Sequence, residues 1–529
     1  LLAAMIVVVY GSLAFGQTYP SPPESILTPD RAETRIGVLD LKDGTPSLPT
    51  VQKVYDNLDF THALNVFLDG FQCVGLQAIR DGARSVGLRD NQILLFSDLM
   101  DSNSLYLTGD ADAVRFLSFI DLSRGPVVFE APPNSHGTIN DLFSRWVIDF
   151  GSLGPDRGEG GRYLLLPSDY TGPLPEGGFY VARARTSRVC MLGHAFWEKN
   201  DPKPAVERIK KTAKIYRYDQ GAAGTSVAQF LGGKSKLASP IPSPPSMFIE
   251  GSERVFSMVP PNDFRYFEML HTLLQQEPVD ALDPDFVGQL AAIGILKGEP
   301  FRPDARMRKM MAEAAAAGNA TARTLFWNPR ESERFAYYSG SAWIAPLWVG
   351  GYDFMNPPPL ISILGAKPAP STGGRTLNAR LAYFYTTVGV SPTRCMRVPG
   401  MGMQYIVAAL DVNKNYLDGG KSYKLNLPKD LPQARCWSLT VYDNQTRSML
   451  KTAQRFPMLG SQVYPRPVPN PSMNGSIDVY FGPKAPANLQ GNWIQTEPEK
   501  GWFVILRLYE PLDPFFKKTW RPGEIEPAK

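Results

Sequence analysis

Histidine and cysteine are scarce in this chain, with four of each among 529 residues. His62, His136, His194 and His271 stand far apart, and neither an H-E-x-x-H run nor a close His-x-His pair occurs. Zinc or iron chemistry has no ligand set to start from, so no metal and no cofactor are expected. Cys73, Cys190, Cys395 and Cys436 are too widely spaced for a disulfide framework, and C-x-x-C is missing. They read as buried thiols, with one or two bridges left open. Basic runs are also lacking. The net charge of +4 is spread along the chain, which argues against nucleic acid as a partner. The one long apolar run, LLAAMIVVVYGSLAF, is too short for a comfortable membrane span. Ala14 and Gly16 supply the small side chains of a cleavage site that would leave Gln17 first. No basic segment precedes the run, and an uncleaved anchor or a buried first strand are the alternatives. The expectation is an exported protein, periplasmic or extracellular, with residues 1–16 as signal peptide and no transmembrane span in the mature form.

What is plentiful points to strands and turns. The chain has 48 prolines, 46 glycines, 28 Phe, 22 Tyr and 9 Trp, a composition suited to short strands with many turns. With 43% hydrophobic and 20% charged residues it is globular. Its length calls for two or three domains. Residues 17–46 read as an extended arm. Val51, Val54, Tyr55 and Leu58, then Ala63, Leu64, Phe67, Leu68 and Phe71, recur at helical spacing and predict two helices over roughly residues 50–85. From Ile93 to about Trp197 the period falls to two. Candidate strands are Phe116–Asp121, Val127–Ala131, Phe143–Phe150, Tyr163–Leu166 and Phe179–Arg185, which predicts an antiparallel β-sandwich within a domain over 47–250. The SPIPSPPS segment at 239–246 reads as a linker. A helical insert follows over 251–330, with apolar stripes at Phe264, Phe267, Leu270, Leu273 and Leu274, at Phe286, Leu290 and Ile293, and at Met307, Met310, Met311, Ala314 and Ala315. Gly318 is expected to stop the last helix. The Met-rich stripe is core packing. A bridge over 331–375 leads to a second β-patterned domain over 376–529. There Arg435, Trp437, Leu439, Val441 and Asp443 share one strand face, and Cys436, Ser438, Thr440 and Tyr442 the other. WFVILRLY, Trp502 to Tyr509, is apolar on both faces and predicts a central strand.

Several long segments resemble a known pair of domains. TPDRAETRIGVLDLKDGTPSLPTVQKVYDNLDF (28–60), DLMDSNSLYLTGDADAVRFLSFIDLSRGPVVFEAPP (98–133) and GSLGPDRGEGGRYLLLPSDY (151–170) resemble domain of unknown function 1254. GMGMQYIVAALDVNKNYLDGGKSYKLNLP (400–428), CWSLTVYDNQTRSML (436–450) and NWIQTEPEKGWFVILRLYEPLDPFFKKTWRPGEIEP (492–527) resemble its companion, domain of unknown function 1214. The resemblance implies an N-terminal β-sandwich, a helical insert and a C-terminal jelly-roll-like β-sandwich, in proteins mostly bacterial and often exported. It implies no activity. An Asn-Thr-Asp-Thr-like run followed by Tyr is usual where this chain has Asp110, Ala111, Asp112, Ala113 and then Arg115. If such a run binds a ligand in relatives, this chain lacks the hydroxyls and the tyrosine that it would bring to the same role.

Other motifs are weak. Asp411, Asn413, Asn415 and Asp418 alternate as in a calcium loop, without its central glycine or bidentate Glu, and read as a hairpin turn. Gly224-Thr-Ser226-Val-Ala228 lacks the second glycine of a nucleophile elbow. The cluster Gly151, Gly154, Gly158, Gly160 and Gly161 lacks a phosphate-loop ending. Two polar placements stand out. Arg145 and Asp149, on one face of the Phe143–Phe150 strand, are candidates to line a cleft with Asp156 and Arg183. Arg507 lies inside the most apolar strand, where a guanidinium needs a carboxylate partner. Asp443, beside Tyr442, is the first candidate, and another Asp or Glu the fallback. The function expected first is a binding or self-assembling envelope or extracellular protein, a possible homo-oligomer with a glycan or small-molecule ligand. Trp437, Trp493, Trp502 and Trp520 are candidates for an aromatic face. The alternative is a metal-independent hydrolase of a glycan or glycoconjugate, with Asp149 and Asp156 as acid and base.

Overall fold

The computed structural model describes residues 22–218, 244–330, 332–356, 372–395, 397–462, 475–488 and 490–528. The expected signal peptide, the Gly224–Ser226 motif and most of the SPIPSPPS linker lie outside them. No helix of the described residues is long and apolar enough to cross a membrane. The chain forms two compact units, residues 1–61 and 62–529, dividing within the first long helix. In the first unit the expected extended arm is instead a small sheet, β1 (Arg31–Thr34), β2 (Gly37–Lys42) and β3 (Thr45–Pro46), in that order. Gly37, at φ 99°, turns the chain between β1 and β2. The Asp30 carboxylate accepts the Asp43 amide at 2.9 Å and ties the ends together.

Helix α1 (Leu48–Asp69) and α2 (Phe71–Ser85) form where the apolar spacing predicts them. Gly82 lets α2 approach the backbone closely, since a Cβ there would sit 2.1 Å from the Ser257 carbonyl oxygen. Nine strands follow: β4 (Ile93–Leu95), β5 (Ser104–Leu105), β6 (Val114–Asp121), β7 (Val127–Ala131), β8 (Ser135–Asp141), β9 (Trp146–Gly151), β10 (Gly161–Leu166), β11 (Tyr180–Arg183) and β12 (Arg188–Ala195). After α3 (Lys203–Thr212) come β13 (Lys214–Arg217), β14 (Phe248–Glu250) and β15 (Phe256–Ser257). The described strands build one sheet ordered β14-β4-β6-β12-β8-β9 and another ordered β11-β10-β7-β13. Side chains from both, among them Phe116, Met191, Phe129 and Tyr163, share one apolar core. Antiparallel pairing dominates, but β10 with β11 and β4 with β14 run parallel, a departure from the all-antiparallel expectation. Strands β8 and β12 escape the alternation reading because each carries a glycine. A Cβ on Gly137 or on Gly193 would fall 2.3 Å from the Phe150 or Phe116 ring, so both positions exclude side chains.

The helical stretch holds α4 (Arg265–Gln276), α5 (Pro284–Ala292) and α6 (Ala305–Trp327). Asp283 and Asp304 cap the last two by accepting the amides of Asp285 and Met307. Helix α6 runs through Gly318, against expectation. The glycine is there for packing: a Cβ would lie 2.3 Å from the Phe67 ring. Two short helices, α7 (Ser332–Phe335) and α8 (Pro346–Gly350), precede α9 (Leu377–Thr386). Helices therefore extend well beyond a single insert. The last strands are β16 (Met403–Ala408), β17 (Tyr423–Leu427), β18 (Gln433–Asp443), β19 (Met458–Gly460), β20 (Ile477–Gly482), β21 (Trp493–Gln495) and β22 (Trp502–Pro511), followed by α10 (Asp513–Phe516) and β23 (Glu526–Pro527). They form two four-stranded sheets, β16-β22-β18-β19 and β21-β20-β17-β23, around a shared core. Strand β22 is paired on both sides and buried on both faces. The two β-regions are not separate bodies. Both lie in the second compact unit, and hydrogen bonds such as Ser438 Oγ to Asp112 Oδ2 at 2.5 Å join them.

Candidate functional site

Alternation along two strands of the C-terminal sheet sets up the site. Trp502, Val504, Leu506 and Leu508 of β22, with Trp437, Leu439 and Val441 of β18, enter the C-terminal core. Ile505 and Arg507, and Ser438, Thr440 and Tyr442, therefore point to the opposite face. In the N-terminal region Val114 and Phe116 of β6 and Ala195 of β12 are core residues, which turns Arg115 and His194 outward. Residues of both outward faces line one cavity of about 840 Å³. Asp110, Arg115 and His194 come from one side, and Tyr405, Ile505 and Arg507 from the other. Phe326 of α6, Leu347 of α8 and Tyr383 of α9 close it, together with Arg394 from the turn after α9.

Charge in this cavity is unevenly matched. Asp110, 2% exposed, takes Arg115 in a two-pronged contact, and Arg507 Nε lies 3.5 Å from the same carboxylate. Burial alone would push the Asp110 carboxyl up, but the Arg115 and Arg507 guanidiniums outweigh it and hold the group well below the ordinary carboxylate range. Arg507 also donates to the Thr108 carbonyl at 2.8 Å and to Thr440 Oγ1 at 3.3 Å, and its guanidinium lies 5.6 Å from both the Tyr405 and Tyr442 rings. Asp112 Oδ2 accepts from Ser438 Oγ and, at 3.0 Å, from the Tyr509 hydroxyl, while its Oδ1 is buried with no hydrogen-bond partner among the described residues. Burial, then the nearby Asp110 charge, pushes the Asp112 carboxyl up to about 6. Burial and the Arg115 charge hold the His194 imidazole well below its ordinary value, so it is neutral.

Arg394 differs from its two neighbours. Its Nη1 donates to the Tyr383 hydroxyl at 2.8 Å and to the Gly389 and Val388 carbonyls at 3.1 and 3.3 Å. All three acceptors are neutral. Among the described residues no carboxylate is ion-paired with it, yet it lines the cavity. Such a guanidinium is an open anchor for an anion.

Two family models match the chain. Residues 91–217 match the one described as "Protein of unknown function (DUF1254)", and residues 402–513 the one described as "Protein of unknown function (DUF1214)". The chain carries both paired domains. Asp110, Arg115 and His194 lie in the DUF1254 stretch, Tyr405, Ile505 and Arg507 in the DUF1214 stretch, and Phe326, Leu347, Tyr383 and Arg394 between them. The cavity is thus built by the pair and by the segment that joins it. Among solved structures, the VPA0106 protein from Vibrio parahaemolyticus matches 89% of this chain and 100% of its own, at 15% identity and a TM-score of 0.50. That likeness is one of fold. A protein from Burkholderia cenocepacia matches 91% of this chain and 97% of its own at 12% identity, with a TM-score of 0.38. None of the curated proteins matches the chain.

Of the residues singled out in the sequence, Arg507 lines the cavity and Tyr442 stands beside it. Tyr442 donates to the Gly109 carbonyl at 2.7 Å and stacks on Phe503. Arg507 has its carboxylate, but it is Asp110 and not Asp443. Asp443 lies at the end of β18, where it meets Lys500 at 3.0 Å and caps the turn at Gln445 and Thr446. Arg145, Asp149, Asp156 and Arg183 do not meet in one cleft. The strand begins only at Trp146, and Arg145 sits in the preceding turn, held by the Asp141 carboxylate and donating to the Ala281 carbonyl at 2.5 Å. Asp149 is buried and accepts from Ser391 Oγ at 2.7 Å; burial pushes its carboxyl up to about 6. Asp156 accepts the Gly151 amide and the Tyr163 hydroxyl, both at 2.6 Å, and so closes a glycine-rich turn. Arg183 binds the Pro167 and Ser168 carbonyls. Trp437, Trp502 and Trp520 are core residues, between 0% and 7% exposed, and form no open aromatic face.

The run set aside in the sequence, Asp110 to Arg115, turns out to be central. Its signal was the one that marked Arg507, a charged residue inside an apolar strand (VRFLSFID). Arg394 and His194 had no such signal, since neither lies in a telling local pattern.

Proposed function

We propose that the protein binds a small amphipathic anion, a carboxylate with an apolar tail, in the cavity shared by the two domains. The observation that carries this reading is Arg394, a guanidinium facing the cavity with only neutral oxygens as partners. Three guanidiniums line the cavity with one firmly ionised carboxylate, so an anion restores balance. Phe326, Leu347 and Ile505 offer the apolar remainder a dry wall. Calorimetric titration with octanoate tests this. Arg394→Gln should weaken binding about 10- to 100-fold, the worth of a charge-assisted hydrogen bond. Equal affinity of the variant, with its fold intact, would sink the reading.

A second reading is a metal-independent hydrolase of a glycan or glycoconjugate. It is supported by the neighbouring Asp110 and Asp112 carboxyls, which are pushed in opposite directions, as an acid and base pair requires. Turnover of a glycoside or ester panel that vanishes in Asp112→Asn while octanoate binding persists would favour it. A neutral glycan as ligand has less support, because Trp437, Trp502 and Trp520 are in the core. The two sheets around each core support reading the domains as a β-sandwich and a jelly-roll-like β-sandwich. Export rests on the apolar leader, and amino-terminal sequencing of the mature protein should begin near Gln17. Self-association is decided by light scattering of the purified protein.

A further inference from the structure

A second, smaller cavity lies against the same anchor. Arg394 and His194 line both cavities. The smaller one is walled further by Leu153, Leu192 and Met403. An anion held at Arg394 therefore borders two spaces, a larger one and a smaller one in which Leu153, Leu192 and Met403 supply the apolar wall. Neutral His194, common to both linings, adds no charge beside Arg394. We propose, resting on the carboxylate reading above, that the ligand is branched beside its anionic group: a carboxylic acid whose α-carbon bears two substituents. The long substituent occupies the larger cavity and the short alkyl branch the smaller. A linear acid leaves the smaller cavity empty and forgoes its burial.

Two eight-carbon acids of equal charge separate the ideas, 2-propylpentanoate and linear octanoate, titrated calorimetrically into the full chain. The branched acid should bind about tenfold or more tightly, since about two CH₂ groups gain burial. In Leu153→Trp, which fills the smaller cavity, the ratio of the two affinities should fall to about one, and in Met403→Phe it should fall likewise. Thermal unfolding identifies any variant that fails to fold. Octanoate binding as tightly as the branched acid in the unaltered protein, with Arg394 still required, would overturn the branch and leave the carboxylate reading standing. A preference that survives both filled variants would also overturn it. Binding of neither acid overturns both.

Discussion

Asp110 is the carboxylate on which the charge of the cavity converges. It serves Arg115 and Arg507 together, so Asp110→Asn strands two guanidiniums and should cost about 3–5 kcal/mol. Arg507→Met leaves Asp110 paired with Arg115 and should cost less, about 1–3 kcal/mol. Urea denaturation of the two variants ranks them, and the reverse order would dismiss the pairing. Asp112 brings a pH dependence. Its carboxyl is raised from 3.8 to about 6, so the stability linked to its protonation is present below about 3.8 and lost as pH rises through about 6. Ligand affinity follows the same sign, because ionised Asp112 adds negative charge beside Asp110 and Arg507, which line the cavity. Octanoate affinity should fall between pH 5.5 and 7 and stay flat in Asp112→Asn; calorimetry across that range checks it. At this scale the sequence disclosed a need but not its answer. Arg507 in an apolar strand required a carboxylate, and strand periodicity placed its face correctly. Which carboxylate met it depended on pairing across the fold, which no local pattern encodes.

Elements defined by spacing were the legible ones. Helices α1, α2, α4 and α6 follow their apolar stripes, and β22 shows its central position by being apolar on both faces. Glycine blurred the rest. Gly137 and Gly193 weakened the strand signal of β8 and β12, and Gly318 resembled a helix stop, because contact with a ring cannot be read from neighbours in sequence. Helical glycines provide a matched test. Gly82→Ala should destabilise by about 1–3 kcal/mol, since its Cβ would meet the immovable Ser257 carbonyl at 2.1 Å. Gly288→Ala in α5, with nothing within 4 Å of the added Cβ, should stabilise by up to about 1 kcal/mol. Melting temperatures of the two variants should move in opposite directions.

On the scale of the whole molecule, the two β-regions stand or fall together. Arg455 reaches back to Asp98 at 2.6 Å and Asp101 at 3.1 Å, and Tyr509 reaches Asp112, 397 residues away in sequence. Scanning calorimetry should therefore show residues 62–529 unfolding in one transition whose calorimetric and van't Hoff enthalpies agree. Two separated transitions would mean independent domains. Two β-patterned regions were legible in the sequence, yet nothing in either told how tightly they would join, since the joining groups are single polar side chains hundreds of residues apart.

The long reach of the cavity wall also sets a timetable. At about 5–20 residues per second, roughly 20 to 80 seconds of translation separate Asp110 from Arg507. Throughout that interval the half-made pocket faces water, with Arg115 as the only guanidinium yet bonded to Asp110. A ligand present during synthesis meets no complete site until strand β22 has left the ribosome. It can reward the finished protein, but it cannot serve as the template on which the chain first folds.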